Sequence, residues 1–179
     1  MLPDFWKKSA EKMLHPTEGN PVSNDGPVKV AIVGIGNEFN GDDAAGVLAA
    51  RRLKARECAA DAGHVVVIEA GVAPENVTAE LRRFAPHIVI LIDAAQMDAA
   101  PGAVNWIDWD STTGMSASSH SLPLSMLARY LTLEIGCAVH LLGIQPVQTQ
   151  AYTLPSPDII DAVEGICAFF CQELFVSSR

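Results

Sequence analysis

Five apolar runs recur along the chain: Val28 to Val33, His64 to Glu69, His87 to Asp93, Val104 to Trp109 and Ala138 to Ile144. Each is rich in Val and Ile and bounded by Gly, Pro or Asp, which is the composition and length of a buried strand. Helical patterns occupy Asp42 to Cys58, Pro74 to Phe84, Ser121 to Ile135 and Asp158 to Phe175. Nearly continuous apolar strands interleaved with helices predict a parallel sheet covered on both faces. The expected fold class is therefore α/β, a three-layer α/β/α sandwich with a twisted, mostly parallel five-stranded sheet. Ligands of such sheets bind beyond the carboxyl ends of the strands, where the βα loops collect.

Ahead of the first strand, Met1 to Pro27 divides in two. Leu2, Phe5, Trp6, Lys7 and Lys8 suit one short helix, and HPTEGNPVSNDGP is a cluster of breakers that reads as a linker. The division expected is an N-terminal extension and linker over residues 1–27, able to pack on the domain or on a partner, and a single domain over residues 28–179. No internal repeat is visible.

Composition narrows the function classes. At 179 residues and 49% hydrophobic content, with a mean hydropathy of +0.22, the chain carries enough apolar material for one core. A net charge of −9 argues against nucleic acid as a partner and favours a basic partner segment. The longest apolar run, Ile88 to Ile92, is far short of the ~20 residues that span a bilayer, so no membrane insertion is expected. Cys58, Cys137, Cys167 and Cys171 form no CxxC, and no signal-peptide pattern opens the chain; both point to a cytoplasmic protein with reduced thiols. Cys167 and Cys171 are four apart, yet Ile166, Phe169, Phe170 and Leu174 around them suit buried small hydrophobes better than a metal pair. Trp106 and Trp109 are expected to cover the sheet edge.

The strand ends carry the candidate chemistry. The first run feeds Gly34-Ile35-Gly36-Asn37 and then the adjacent acids Asp42 and Asp43 at a helix start; the second ends at Glu69, before AGVAPEN; the third ends in Asp93. A carboxylate closing a buried apolar strand is expensive to desolvate unless a cation or several donors wait for it. A later loop, SASSHSLP, holds His120 just before a helix start marked by Pro123. Two carboxylates and an imidazole from three βα loops would suit a hard-to-borderline divalent metal. Blander readings stand beside this one. Asp42 or Asp43 could cap the helix and complement its dipole for ~0.5–2 kcal/mol. Asp93 could close a turn, Glu69 could serve neighbouring donors, and His120 could be an ordinary loop histidine.

Two other chemistries fail on the residues. The dinucleotide fingerprint G-x-G-x-x-G would need glycine where Phe39 stands, and a pyrophosphate on that helix start would meet Asp42 and Asp43. No G-x-S-x-G nucleophile elbow occurs, although Ser118, Ser119 and Ser121 flank His120.

Taken together, GIGNEFNGDDAAG after the first strand, IEAGVAPEN at the second strand end, VILIDAAQMDAAPG at the third, SSHSLPL and LLGIQP resemble the hydrogenase maturation endopeptidase family. The APEN and GIQP forms look most like the branch serving formate-hydrogenlyase-type hydrogenases. The resemblance covers residues 28 to the C-terminus, with Ala44 standing where the family often has Gly and residues 1–27 without a counterpart. It implies an endopeptidase, aspartic-type or metal-assisted, that removes the C-terminal extension of a nickel-loaded nickel-iron hydrogenase large-subunit precursor. Asp43, Asp93 and His120 fall on the family's metal-recognition positions, and Asp42 on the acid before the first of them. The nickel arrives with the substrate, so no cofactor of its own is required, although a divalent metal can occupy the site. Which of Asp43 and Asp93 acts as base is open, and helix capping alone would explain Asp42. A monomer is expected. A different class, a non-enzymatic nickel or small-ligand binding module using the same cleft, predicts metal binding without peptide release.

Overall fold

A computed structural model of the chain describes residues 5–14, 27–56, 63–110 and 124–175. Its sheet has five strands, β1 Val30–Ile35, β2 Val65–Gly71, β3 Ile88–Ala94, β4 Val104–Ile107 and β5 Ala138–Ile144. Their spatial order is β2-β1-β3-β5-β4. β2, β1, β3 and β5 run parallel, and β4 lies antiparallel on β5. The α/β sandwich expected from the apolar runs is thus observed, with one antiparallel edge. That edge follows from the short connection between β4 and its predecessor: with no crossover helix between Ala94 and Val104, the chain turns back on itself.

Among the described residues, five α-helices cover the sheet: α1 Phe5–Leu14, α2 Ala45–Ala55, α3 Thr78–Phe84, α4 Leu124–Ile135 and α5 Pro157–Phe170. Side chains alternate between the two faces with a period of two. Val30, Ile32, Ile88, Ile90, Ile92, Leu142 and Ile144 pack with Leu53 of α2 and Val163 and Ile166 of α5. Ala31, Val33, Val89, Leu91, Val139 and Leu141 pack with Leu81 of α3 and Leu127 and Leu131 of α4. β1 and β3 are buried along their whole length, since both neighbours and both faces are filled. Each fully buried Leu or Ile contributes ~1.5–3 kcal/mol relative to exposure.

α1 shares the first of these layers. Trp6, Ala10 and Leu14, spaced by four, are buried, and the Trp6 ring meets Phe169 edge-on at 4.9 Å between centroids. Trp106 of β4 donates its Nε1–H to the Trp6 carbonyl at 2.9 Å, so this tryptophan covers the sheet edge by holding α1 there. Trp109, two residues past β4, donates to the Val139 carbonyl at 2.9 Å. Cys137 and Cys167 are free and buried. Cys171 is disulfide-bonded, which corrects the expectation of reduced thiols throughout.

The topology fixes where a ligand can enter. From β1 the chain crosses to β2 on one side and next to β3 on the other, so the crossovers diverge between the carboxyl ends of β1 and β3. α2 begins wedged into that gap. A Cβ on Gly46 would stand 2.0 Å from the Ile92 carbonyl oxygen of β3 and 2.4 Å from that of Ile35 of β1.

Candidate active site

The turn from β1 into α2 is built by its glycines and by Asn37. Gly36 has φ +130, and a Cβ there would lie 1.8 Å from the Asp43 carbonyl oxygen; only glycine lets the chain fold back this tightly. The Asn37 side chain accepts from the Phe39 N–H at 3.0 Å, and the Asn37 N–H donates to Asp43 Oδ2 at 3.1 Å. A single 3-10 turn, Gly41–Ala44, then presents the two acids. Neither caps the following helix. The N-cap of α2 is Ala44, without a side-chain hydrogen bond.

Asp43 is 9% exposed and Asp93 is 2% exposed. Asp93 sits one residue past the Gly34–Ile92 pairing of the β1–β3 ladder, and its Oδ1 accepts from the Ala94 N–H at 2.9 Å. Both acids therefore occupy the carboxyl ends of adjacent parallel strands, at the switch point. Two buried carboxylates at neighbouring strand ends have the chemistry to suit a bound cation, or a proton passed to and from a water.

Asp42 faces elsewhere. Its carboxylate is fully buried and takes four hydrogen bonds from one distant segment: Val147 N–H to Oδ2 at 2.7 Å, Gln148 N–H to Oδ2 at 3.0 Å, Ser156 N–H to Oδ1 at 2.6 Å and Ser156 hydroxyl to Oδ2 at 3.0 Å. Burial pulls the carboxyl pKa upward, but these bonds, led by the Ser156, Val147 and Gln148 amides, outweigh it and hold Asp42 below the ordinary value. Ser156 also caps α5, accepting from the Ile159 N–H at 3.5 Å.

Gln145, just past β5, plays the matching part on the other wall. It is 6% exposed; its Oε1 accepts from Met97 N–H at 2.7 Å and Ala99 N–H at 3.3 Å, and its Nε2 donates to Gln96 Oε1 at 2.7 Å. The loop after Asp93 is thereby fastened to the end of β5. Neither Gln145 nor Ser156 is among the site candidates that the sequence offers. Ser156 before Pro157 was legible as a helix start, whereas nothing in GIQP signals where the amide points.

Glu69 is tied to Arg51 at 3.0 Å and Lys54 at 3.6 Å, and Arg51 also reaches Glu38 at 2.9 Å. It serves a surface ion-pair network. Glu75, in the turn after β2, has a buried Oε2 without a hydrogen-bond partner among the described residues. His120 lies outside the described residues. Among the described residues no group of three His, Cys, Asp or Glu could hold a metal ion. Also among them, no helix is long and apolar enough to cross a membrane.

Comparison with known proteins bears on the whole arrangement. The sequence model of a family described as hydrogenase maturation protease matches residues 47–173, beginning four residues after Asp43. A putative hydrogenase maturation protease of Methanocaldococcus jannaschii is 37% identical over 123 residues, 66% of this chain and 72% of that protein. The hydrogenase 3 maturation protease of Escherichia coli is 38% identical over 133 residues, 74% of this chain and 82% of that protein. In three dimensions, the crystal structure of a NiFe hydrogenase maturation protease from Thermococcus kodakarensis superposes with a TM-score of 0.76 at 32% identity, covering 84% of this chain and 94% of that one.

Proposed function

Because this chain belongs to the hydrogenase maturation protease family, we propose that it cleaves the C-terminal extension from a hydrogenase large-subunit precursor that already carries nickel. The observation that carries this reading is the pair of buried acids, Asp43 and Asp93, at the carboxyl ends of β1 and β3, where the crossovers diverge. The nickel belongs to the substrate. Asp43 and Asp93, joined by His120, approach that metal; oxygen and nitrogen donors suit it.

The cleaved peptide lies beside the metal. One of the two carboxylates takes a proton from the attacking water, and the same group then returns it to the leaving amine. The substrate's nickel polarises the carbonyl under attack. Asp42 stays outside this chemistry, since four donors already occupy its oxygens.

The test is a mass measurement of nickel-loaded and nickel-free precursor before and after incubation with the protein. A fragment released from the loaded form alone is the expected result. Equal cleavage of the nickel-free form would remove the metal-reading step, and no cleavage of either would remove the function.

A further inference from the structure

Beside the turn that carries the two acids, the chain exposes apolar side chains that its core does not use. Seven large hydrophobic side chains are exposed among the described residues, and four of them, Phe39, Val147, Tyr152 and Leu154, lie on two segments bonded to each other. Tyr152 N–H donates to the Phe39 carbonyl at 2.6 Å, and Gly41 N–H to the Thr153 carbonyl at 3.2 Å. Phe39 is 62% exposed, Tyr152 93% and Leu154 85%. Such a cluster differs from scattered surface hydrophobics, which need no explanation.

This patch is also built from inside. The segment that carries Tyr152 and Leu154 is pinned at both ends by the Asp42 carboxylate, through Val147 and Gln148 on one side and Ser156 on the other. Between those pins Tyr152 is held at φ +61, a left-handed conformation that bulky residues avoid. A buried charge and a strained tyrosine backbone are thus spent on holding apolar groups in water.

We propose that Phe39, Tyr152 and Leu154 form the docking platform for an apolar segment of the precursor next to the cleaved bond, with Asp42 as the positioning residue that holds the platform. The proposal rests on the reading of this chain as a precursor-cleaving peptidase. A peptide crossing the acid pair in extended form advances ~3.3 Å per residue. Phe39 is only four residues from Asp43 in the same turn, so such a peptide meets the platform within a few residues of the cut. The segment 145–156 has no charged residue, and beside it Glu38 is paired with Arg51 and Asp42 is answered by residues 147–156, so this surface offers an uncharged apolar segment no charge to desolvate. A second copy of this chain, with net charge −9, would bring two acidic rims together, so it is disfavoured as the occupant.

The double variant Tyr152→Ala/Leu154→Ser tests this, because both side chains are exposed and the core is untouched; Leu133→Ser, 77% exposed on α4, is the control. Binding and cleavage of nickel-loaded precursor are measured together. The expected result is precursor binding weakened tenfold or more, a KM raised equally, and kcat within twofold of wild type, with Leu133→Ser unchanged. Asp42→Asn, assayed where it is folded, raises KM in the same direction. Unchanged binding in the double variant overturns the platform. So does a variant that alters self-association by sedimentation but not precursor affinity. If wild type binds the precursor and the double variant does not, yet neither cleaves it, the platform stands and the peptidase reading falls; if wild type neither binds nor cleaves, both fall.

Discussion

The turn Gly41–Ala44 carries two neighbouring carboxylates that do opposite things. Asp42 points away from the crevice into a ring of donors supplied by residues 147–156, and its charge is fully answered by the protein itself. Asp43 instead accepts the Asn37 N–H at 3.1 Å, in a turn that packs against β3, the strand that ends on Asp93 and Ala94. A 3-10 turn makes this division possible, because residues adjacent in it project about 120° apart. Burial alone therefore does not set the role of an acid. Asp42 stabilises a loop, and Asp43 is the one that the proposed function assigns to the substrate.

Substitution of each acid by its amide should separate the two. Asp43→Asn or Asp93→Asn is expected to lower precursor processing by about 10²–10⁴-fold, the usual weight of a proton-transfer group, while unfolding free energy changes by less than about 1 kcal/mol. Asp42→Asn should reverse the pattern. Its amide nitrogen would face N–H donors, so stability falls by ~2–4 kcal/mol in urea denaturation, and kcat of the folded fraction is retained. Loss of kcat in Asp42→Asn with unchanged stability would break the comparison.

How much of this could be read from residues alone follows the same line. The strands were legible because β1 and β3 are buried on both faces, which writes an uninterrupted apolar run. The strand ends are less legible, at the centre as at the edges: β1 spans Val30–Ile35 instead of 28–33, β2 continues past Glu69 to Gly71, and β4 stops at Ile107. Asp43 and Asp93 were recognised as acids at strand ends, because the fold class itself says where such ends gather. Asp42 was not separable from Asp43. What distinguishes it is a partner more than 100 residues away, Ser156, and no local pattern encodes that pairing. The same holds for Gln145, whose partners Met97 and Ala99 come from a different loop.

Gln145 gives a further, smaller way to sharpen the contrast, now between the two walls. Gln145→Leu keeps the volume approximately but leaves the Met97 and Ala99 amides without their acceptor, at a cost of ~1–3 kcal/mol in stability. Since those amides lie in the loop after Asp93, processing should fall with it, by about tenfold in kcat/KM, whereas the Tyr152 platform keeps its affinity for the precursor. If precursor binding weakened as much as it does in Asp42→Asn, the two walls would not be independent.

The smallest expected effects are in pH dependence, and their signs differ between groups. Asp42 has its folded pKa held below the unfolded value, so its contribution is complete above about pH 4 and is lost as pH falls through the lowered folded value. Wild type and Asp42→Asn should therefore converge in stability only at the acid end, with a constant gap from pH 5 to 8. His140 on β5, beside Trp106, has its pKa lowered by burial. The unfolded chain takes up that proton first, so stability falls as pH drops through about 6.5, in wild type and Asp42→Asn alike. Thermal unfolding of wild type, Asp42→Asn and His140→Gln across pH 3–8 checks both: the slope near pH 6 should flatten only in His140→Gln, and the gap at Asp42 should close only below pH 4. A gap that closed near neutrality would mean that Asp42 titrates there, as a group in the proton-transfer pair would, and the division of labour within the turn would be lost.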